Sequence, residues 1–104
     1  MTLEELADII AERAEADPET SWTAKLLASG PEKCAEKFGE EAVEAIIEAV
    51  KNDPDALARE AADVLFHLLV MLRSRGVALA RVMDVLEARQ GKSGLTEKAE
   101  RNTK

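Results

Sequence analysis

Apolar residues recur at helical spacing along most of the chain. A T-x-x-E capping box at residues 2–5 opens the first predicted helix, and Asp17-Pro18 ends it. Ser21 is suited to cap a short second helix, which Gly30-Pro31 breaks. The apolar positions that set the period in the first helix are Leu3, Leu6, Ile9 and Ile10.

Two longer helices follow, joined by a short link. The first is predicted over Pro31–Lys51 and the second over Pro54–Arg75, with Gly76 as the stop signal of the second. Asp53 provides a cap for the second helix, whose first turn begins with proline. A link this short favours an antiparallel helical hairpin.

A last helix is predicted over roughly Leu79–Arg89, although no capping side chain precedes it. The sequence is polar from Gln90 onward. We therefore expect one domain over residues 1–90 and a polar C-terminal tail over residues 91–104. The predicted fold class is all-α, a bundle of four to five helices. Because Phe66–Leu72 is apolar around more of its helix than one hairpin covers, we also expect a homodimer.

Composition agrees with this fold and narrows the function classes. The 104 residues include only three aromatic side chains, and the net charge is −7, so no basic patch for nucleic acid is expected. Cys34 is the only cysteine, which excludes an intrachain disulfide. The N-terminus is acidic and no apolar run approaches the ~20 residues that span a bilayer. We expect a cytoplasmic protein without membrane partners.

Two acidic pairs lie in the two arms of the predicted hairpin. Each helical residue advances by about 100°, so Glu41 and Glu44 share one face, and Glu60 and Asp63 share one face of the next helix. In an antiparallel hairpin the four carboxylates can converge. Converging carboxylates need a proton or a cation, and an all-oxygen set suits Mg²⁺. The alternative is a solvated acidic face, since 21 of the 104 residues are acidic.

Further candidates surround this acidic centre. Glu40 could orient or deprotonate a water, but it points about 100° away from Glu41 and is equally well interpreted as a surface residue. Three lysines are candidate phosphate contacts, with solvated surface residues as the alternative: Lys25, Lys33 and Lys37.

Trp22 could stack on a purine, although a core position is slightly favoured. His67 and Cys34 are interpreted as core residues, His67 as a hydrogen-bonded one. Gly39 inside a helix costs up to ~1 kcal/mol against alanine. Either the missing side chain allows close approach of a ligand or of another backbone, or the cost is simply tolerated.

Four segments of the chain resemble the phosphoribosyl-ATP pyrophosphohydrolase family, which belongs to the all-α nucleotide pyrophosphohydrolases of the MazG type. The resemblance covers residues 3 to about 90 and rests on Ser21-Trp22-Thr23-Ala24-Lys25-Leu26, Gly30-Pro31-Glu32-Lys33, Lys37-Phe38-Gly39-Glu40-Glu41-Ala42-Val43-Glu44 and Glu60-Ala61-Ala62-Asp63-Val64-Leu65-Phe66-His67-Leu68-Leu69. At the position of Trp22 the family usually has tyrosine.

The resemblance implies metal ligands at Glu41, Glu44, Glu60 and Asp63. It also implies a homodimeric helical bundle that hydrolyses phosphoribosyl-ATP to phosphoribosyl-AMP and pyrophosphate, the second step of histidine biosynthesis. No Gly-rich phosphate loop is present, so Mg²⁺ and lysines would hold the triphosphate. Two alternatives stay open: a house-cleaning nucleoside triphosphate pyrophosphatase of the same superfamily, and a non-catalytic helical interaction module.

Overall fold

The described part of the chain is entirely helical. The computed structural model describes residues 1–91 and residue 101, and no strand occurs among them. This confirms the all-α class predicted from the sequence. The helices are α1 (Leu3–Ala14), α2 (Trp22–Ala28), α3 (Pro31–Lys51), α4 (Pro54–Ser74) and α5 (Leu79–Ala88). Nearly all of the predicted tail at 91–104 lies outside the described residues. None of the described helices is long and apolar enough to cross a membrane.

Side-chain caps start three of the helices where the sequence predicts them. Thr2 and Glu5 exchange hydrogen bonds of 3.1 and 3.0 Å in a capping box at α1. Ser21 Oγ accepts a hydrogen bond from the backbone N–H of Ala24 at the start of α2. Asp53 accepts one from the first turn of α4. By contrast, no side-chain hydrogen bond caps α5, as expected from its flanking sequence.

Helices α3 and α4 form the antiparallel hairpin around which the rest of the molecule packs. Only Asn52 and Asp53 separate them. Asn52 has a left-handed backbone with φ of 60°, a conformation that asparagine tolerates better than most residues. The chain therefore reverses within two residues, which places the middle of α3 beside the middle of α4.

The core lies at the end of the hairpin away from this turn. Its fully enclosed residues come from four helices and are Ile10, Leu26, Cys34, Leu69 and Val70. Cys34 Sγ donates a hydrogen bond to the backbone carbonyl of Leu26, 3.4 Å away, which ties α3 to α2. Helices α1 and α2 thus cover the open end of the hairpin and leave its turn end bare.

The uncovered apolar surface lies elsewhere than the sequence suggests. Phe66–Leu72 is buried or half-buried within the single chain. The prediction that this segment needs a second copy of the chain to cover its apolar faces is therefore wrong. Instead, α3 exposes a stripe with the helical spacing i, i+3, i+4, i+7, and Leu65 on α4 is 41% exposed. The stripe consists of Val43, Ile46, Ile47 and Val50, which are 47–82% exposed. On α5, three further apolar residues are 44–47% exposed: Met83, Val85 and Leu86.

Candidate active site

Three carboxylates meet between the two arms of the hairpin. Glu41 comes from α3, whereas Glu60 and Asp63 come from successive turns of α4. One oxygen of each lies within 4.8 Å of the other two. Glu41 and Glu60 are half-buried, whereas Asp63 is exposed. The site is therefore open to solvent on the Asp63 side. We call these three residues the acidic cluster.

Glu60 has the most perturbed carboxyl group in the cluster. Hydrogen bonding to Glu44, burial and the neighbouring Glu41 carboxylate raise the pKa of Glu60 from its ordinary 4.5 to about 7. Its Oε2 atom is shielded from solvent and has no hydrogen-bond partner among the described residues. A carboxylate oxygen in this state is a ready acceptor for a proton or a cation.

Glu44 and Glu40, the other two acidic candidates, lie at the margin of the cluster. Glu44 is exposed and contacts Glu60, but it falls outside the group of three carboxylates that meet within 4.8 Å. Glu40 is exposed as well, and its Oε2 pairs with Lys37 Nζ at 3.4 Å. The structure thus brings together three of the five acidic residues singled out from the sequence and leaves two beside them.

The three candidate lysines have different surroundings. Lys33 pairs with Glu36 at 3.5 Å, while Lys37 pairs with Glu40 and also lies 5.9 Å from the centre of the Trp22 ring. Lys25 is exposed and forms no ion pair with any described residue. All three are near enough to solvent to contact an incoming anion, and Lys37 lies nearest to the cluster along the chain.

Trp22 is not the core residue that the sequence slightly favoured. Its side chain is 52% exposed, and it lines a groove of about 430 Å³. The same groove includes Arg13 from the end of α1 and Phe66 from α4, neither of which was singled out as a functional candidate. Phe66 belongs to the segment that carries the family resemblance, and this was the signal that could have identified it.

His67 and Cys34 are buried, as predicted. The His67 ring meets Phe66 edge to face, with centroids 5.1 Å apart, but His67 Nδ1 has no hydrogen-bond partner among the described residues. The predicted hydrogen-bonded state is therefore absent at this nitrogen. Burial raises the pKa of the Cys34 thiol, which keeps it neutral and suits it to packing.

The chemistry of the acidic cluster fits a small hard cation. Its donors are all carboxylate oxygens, which Mg²⁺ prefers, and one of them is buried without a partner. A cation there would replace the proton that Glu60 otherwise retains near neutral pH. On the open side, the positions around such a cation that the carboxylates do not fill would be available to water or to a phosphate group.

The fold and the acidic cluster together define an all-helical protein in which three carboxylates meet between the two arms of a helical hairpin. The sequence pattern of the phosphoribosyl-ATP pyrophosphohydrolase family matches residues 3–90, and the chain belongs to this family. This confirms the family resemblance inferred from the four motifs.

Similar proteins are present in several bacteria under the name phosphoribosyl-ATP pyrophosphatase. The protein of Cereibacter sphaeroides strain KD131 is 70% identical over 99 residues, which cover 95% of this chain and 96% of the relative. The protein of Paracoccus denitrificans is 68% identical over 95% of this chain and 92% of its own length. That of Dinoroseobacter shibae is 69% identical, with coverage of 95% and 97%.

Proposed function

We propose that this protein hydrolyses phosphoribosyl-ATP to phosphoribosyl-AMP and pyrophosphate, the second step of histidine biosynthesis, in the cytoplasm. The observation that carries this proposal is the family match over residues 3–90, which includes every residue of the acidic cluster. Relatives that share about 70% of their residues bear the corresponding name over almost their whole length.

The acidic cluster is the proposed Mg²⁺ site, with Glu41, Glu60 and Asp63 as ligands and Glu44 as a fourth ligand at its edge. When bound, Mg²⁺ neutralises phosphate oxygens and lowers the pKa of a coordinated water. The convergence of three carboxylates within 4.8 Å and the shielded Glu60 Oε2, which has no hydrogen-bond partner among the described residues, support the assignment because such oxygens are suited to bind a cation.

The remaining candidates bind and orient the substrate. Lys25, Lys33 and Lys37 would contact the polyphosphate, since exposed ammonium groups can follow a flexible chain of phosphates. Trp22 offers an exposed ring for the purine. Glu40 lies one residue before Glu41 and would orient the attacking water; this requires it to leave its ion pair with Lys37.

The test is release of pyrophosphate from phosphoribosyl-ATP, measured beside dATP, dCTP and dUTP, with Mg²⁺ and with chelator. We expect turnover of phosphoribosyl-ATP alone, and its loss in chelator and in Glu41→Gln. Glu12→Gln on the exposed side of α1 is the matched control and should retain full activity. Comparable turnover of the ordinary nucleotides would instead indicate a house-cleaning pyrophosphatase. No turnover of any nucleotide would indicate a helical interaction module.

We also propose that two copies associate through the exposed stripe on α3. Four apolar side chains on one helical face favour burial against a partner, and Ile46 at 62% exposure lies within the stripe. Sedimentation should show a dimer that Ile46→Glu dissociates. Ala28→Glu, an exposed position on α2, introduces the same charge away from the stripe and should leave the dimer intact. A monomeric wild-type protein at micromolar concentration would refute this assembly.

A further inference from the structure

The groove beside Trp22 is built from three helices. The end of α1, the α1–α2 connection, the start of α2 and the middle of α4 contribute its lining. Its volume of about 430 Å³ lies in the range of small-molecule sites, roughly 300–1,000 Å³. Trp22 forms one aromatic wall and Phe66 a second. Among the described residues, the lining consists of Arg13, Ala16, Thr20, Ser21, Trp22, Thr23 and Phe66. We call it the Trp22 groove.

Two neighbours in the structure relate the Trp22 groove to the acidic cluster. Phe66 follows Asp63 by three residues on α4, so the two side chains lie about 60° apart around the helix and about one turn apart along it. On α3, Lys37 Nζ lies near the Trp22 ring and pairs with Glu40, the residue before Glu41. Each arm of the hairpin thus carries a residue near the groove within four positions of a cluster carboxylate.

Arg13 is the only cationic residue among the described residues that line this groove. It is exposed and forms no ion pair within the described ranges, in contrast to Lys33 and Lys37. A guanidinium group offers parallel N–H donors that match the oxygens of a phosphate. An unpaired arginine beside two aromatic rings is suited to a ligand that carries both a flat base and a phosphorylated sugar.

The proposed substrate has such a second phosphate. Besides its triphosphate, phosphoribosyl-ATP carries a phosphoribosyl group, whose phosphate needs a counter-charge of its own once the triphosphate lies at the acidic cluster. We propose that the Trp22 groove binds this phosphoribosyl end, with Arg13 contacting its phosphate and Trp22 packing against the purine. This inference rests on the proposed function and adds a specificity-determining residue to it, because ATP lacks the group that Arg13 would bind.

Ser21 fixes the relative positions of the two groove residues. Its Oγ donates a hydrogen bond of 3.2 Å to the backbone carbonyl of Arg13 and accepts one from Ala24 N–H. The first bond holds the end of α1, and the second sets the start of α2, where Trp22 is the first residue. Ser21 is therefore a positioning residue for the groove.

Trp22 is the only tryptophan in the sequence, so its fluorescence reports directly on the groove. The probe is phosphoribosyl-AMP, which retains the phosphoribosyl group but no pyrophosphate, and AMP is the matched ligand that lacks this group. Both are titrated into the full-length protein in the presence of chelator. We expect phosphoribosyl-AMP to change the fluorescence with a lower Kd than AMP.

Arg13→Gln should weaken the binding of phosphoribosyl-AMP roughly 10- to 100-fold, the usual effect of losing a charge-assisted hydrogen bond, and should weaken the binding of AMP by a smaller factor. Arg13→Lys keeps the charge without the planar fork of donors, so its Kd for phosphoribosyl-AMP should lie between those of the wild type and Arg13→Gln. The control is Arg75→Gln, an exposed arginine outside the groove, which should bind like the wild type.

The proposal and the proposed function fail in different ways. Equal affinity of wild type and Arg13→Gln for phosphoribosyl-AMP would refute the proposed ligand of the Trp22 groove, even if the protein hydrolyses phosphoribosyl-ATP. Unchanged Trp22 fluorescence at saturating ligand would refute it as well. Arg13-dependent binding of phosphoribosyl-AMP without hydrolysis of phosphoribosyl-ATP would support the proposed ligand of the Trp22 groove and refute the catalytic assignment. In an active protein, kcat/KM for phosphoribosyl-ATP should fall in Arg13→Gln by the same factor as the affinity.

Discussion

The single hydroxyl of Ser21 hydrogen-bonds to the end of α1 and to the start of α2, and its removal tests how much these two bonds stabilise the fold. In Ser21→Ala, α2 loses the side-chain acceptor for Ala24 N–H, and the Arg13 carbonyl loses its donor. The bond to Ala24 N–H is partly buried and the bond to the Arg13 carbonyl is exposed, so water can replace the second more readily than the first. The variant removes one oxygen and creates no steric conflict.

The expected cost follows from the two bonds. Loss of a serine N-cap typically costs about 1 kcal/mol. A neutral hydrogen bond to a backbone carbonyl contributes a further ~0.5–1.5 kcal/mol. We therefore expect Ser21→Ala to lower the free energy of unfolding by about 2 kcal/mol. For a domain of this size, that loss corresponds to a Tm lower by roughly 10 °C.

The assay is thermal and urea denaturation followed by circular dichroism, with all variants at the same protein concentration. Ser29→Ala is the matched control, because the Ser29 hydroxyl is exposed and only donates back to the carbonyl of Lys25 within its own helix. It should change stability by less than ~0.5 kcal/mol. A cost below that value in Ser21→Ala, or an equal cost in both variants, would refute the reasoning.

Three further predictions concern the acidic cluster and α3. Without metal, the free energy of unfolding should fall as pH rises from about 4.5 through about 7, because the folded state retains the Glu60 proton that the unfolded chain releases. If the free energy of unfolding depends on pH in Glu60→Gln as it does in the wild type, this prediction is wrong. Asp63→Asn should lower the rate of pyrophosphate release more than ~100-fold. The same variant should stabilise the metal-free fold by about 1 kcal/mol in urea denaturation, because it removes like-charge repulsion in the acidic cluster, and a loss of stability would contradict this reason. Gly39→Ala should stabilise the fold by ~0.5–1 kcal/mol with activity retained, since no described atom beyond the adjacent backbone of its own helix lies within 4 Å of the added Cβ. Lost activity would indicate that a ligand or partner approaches there.

Sequence signals predicted the helices because these signals act over short distances. A cap such as Thr2 or Asp53 bonds to an N–H three residues away, and proline and glycine restrict their own backbone. The boundaries of α3 and α4 therefore followed from local chemistry. The spacing of Glu60 and Asp63 fixed their common side of α4 for the same reason, and the two-residue link at Asn52 fixed the antiparallel direction of the hairpin.

Tertiary structure decided which side chains from different helices meet. The rotation of α3 against α4 brings Glu41 into the acidic cluster and leaves Glu44 at its edge. Burial of Glu60 beside these carboxylates, and hence the raised pKa of its side chain, follows from the same rotation.

The sequence by itself thus determined the helices, their order and the acidic character of the site. It did not determine that Trp22 is exposed or that Arg13 and Phe66 share a groove with it. Those contacts join residues that are far apart in the chain, and they depend on the distance and angle at which three helices pack. Helical periodicity sets the direction of each side chain around its own axis, whereas only packing sets the position of one axis relative to another.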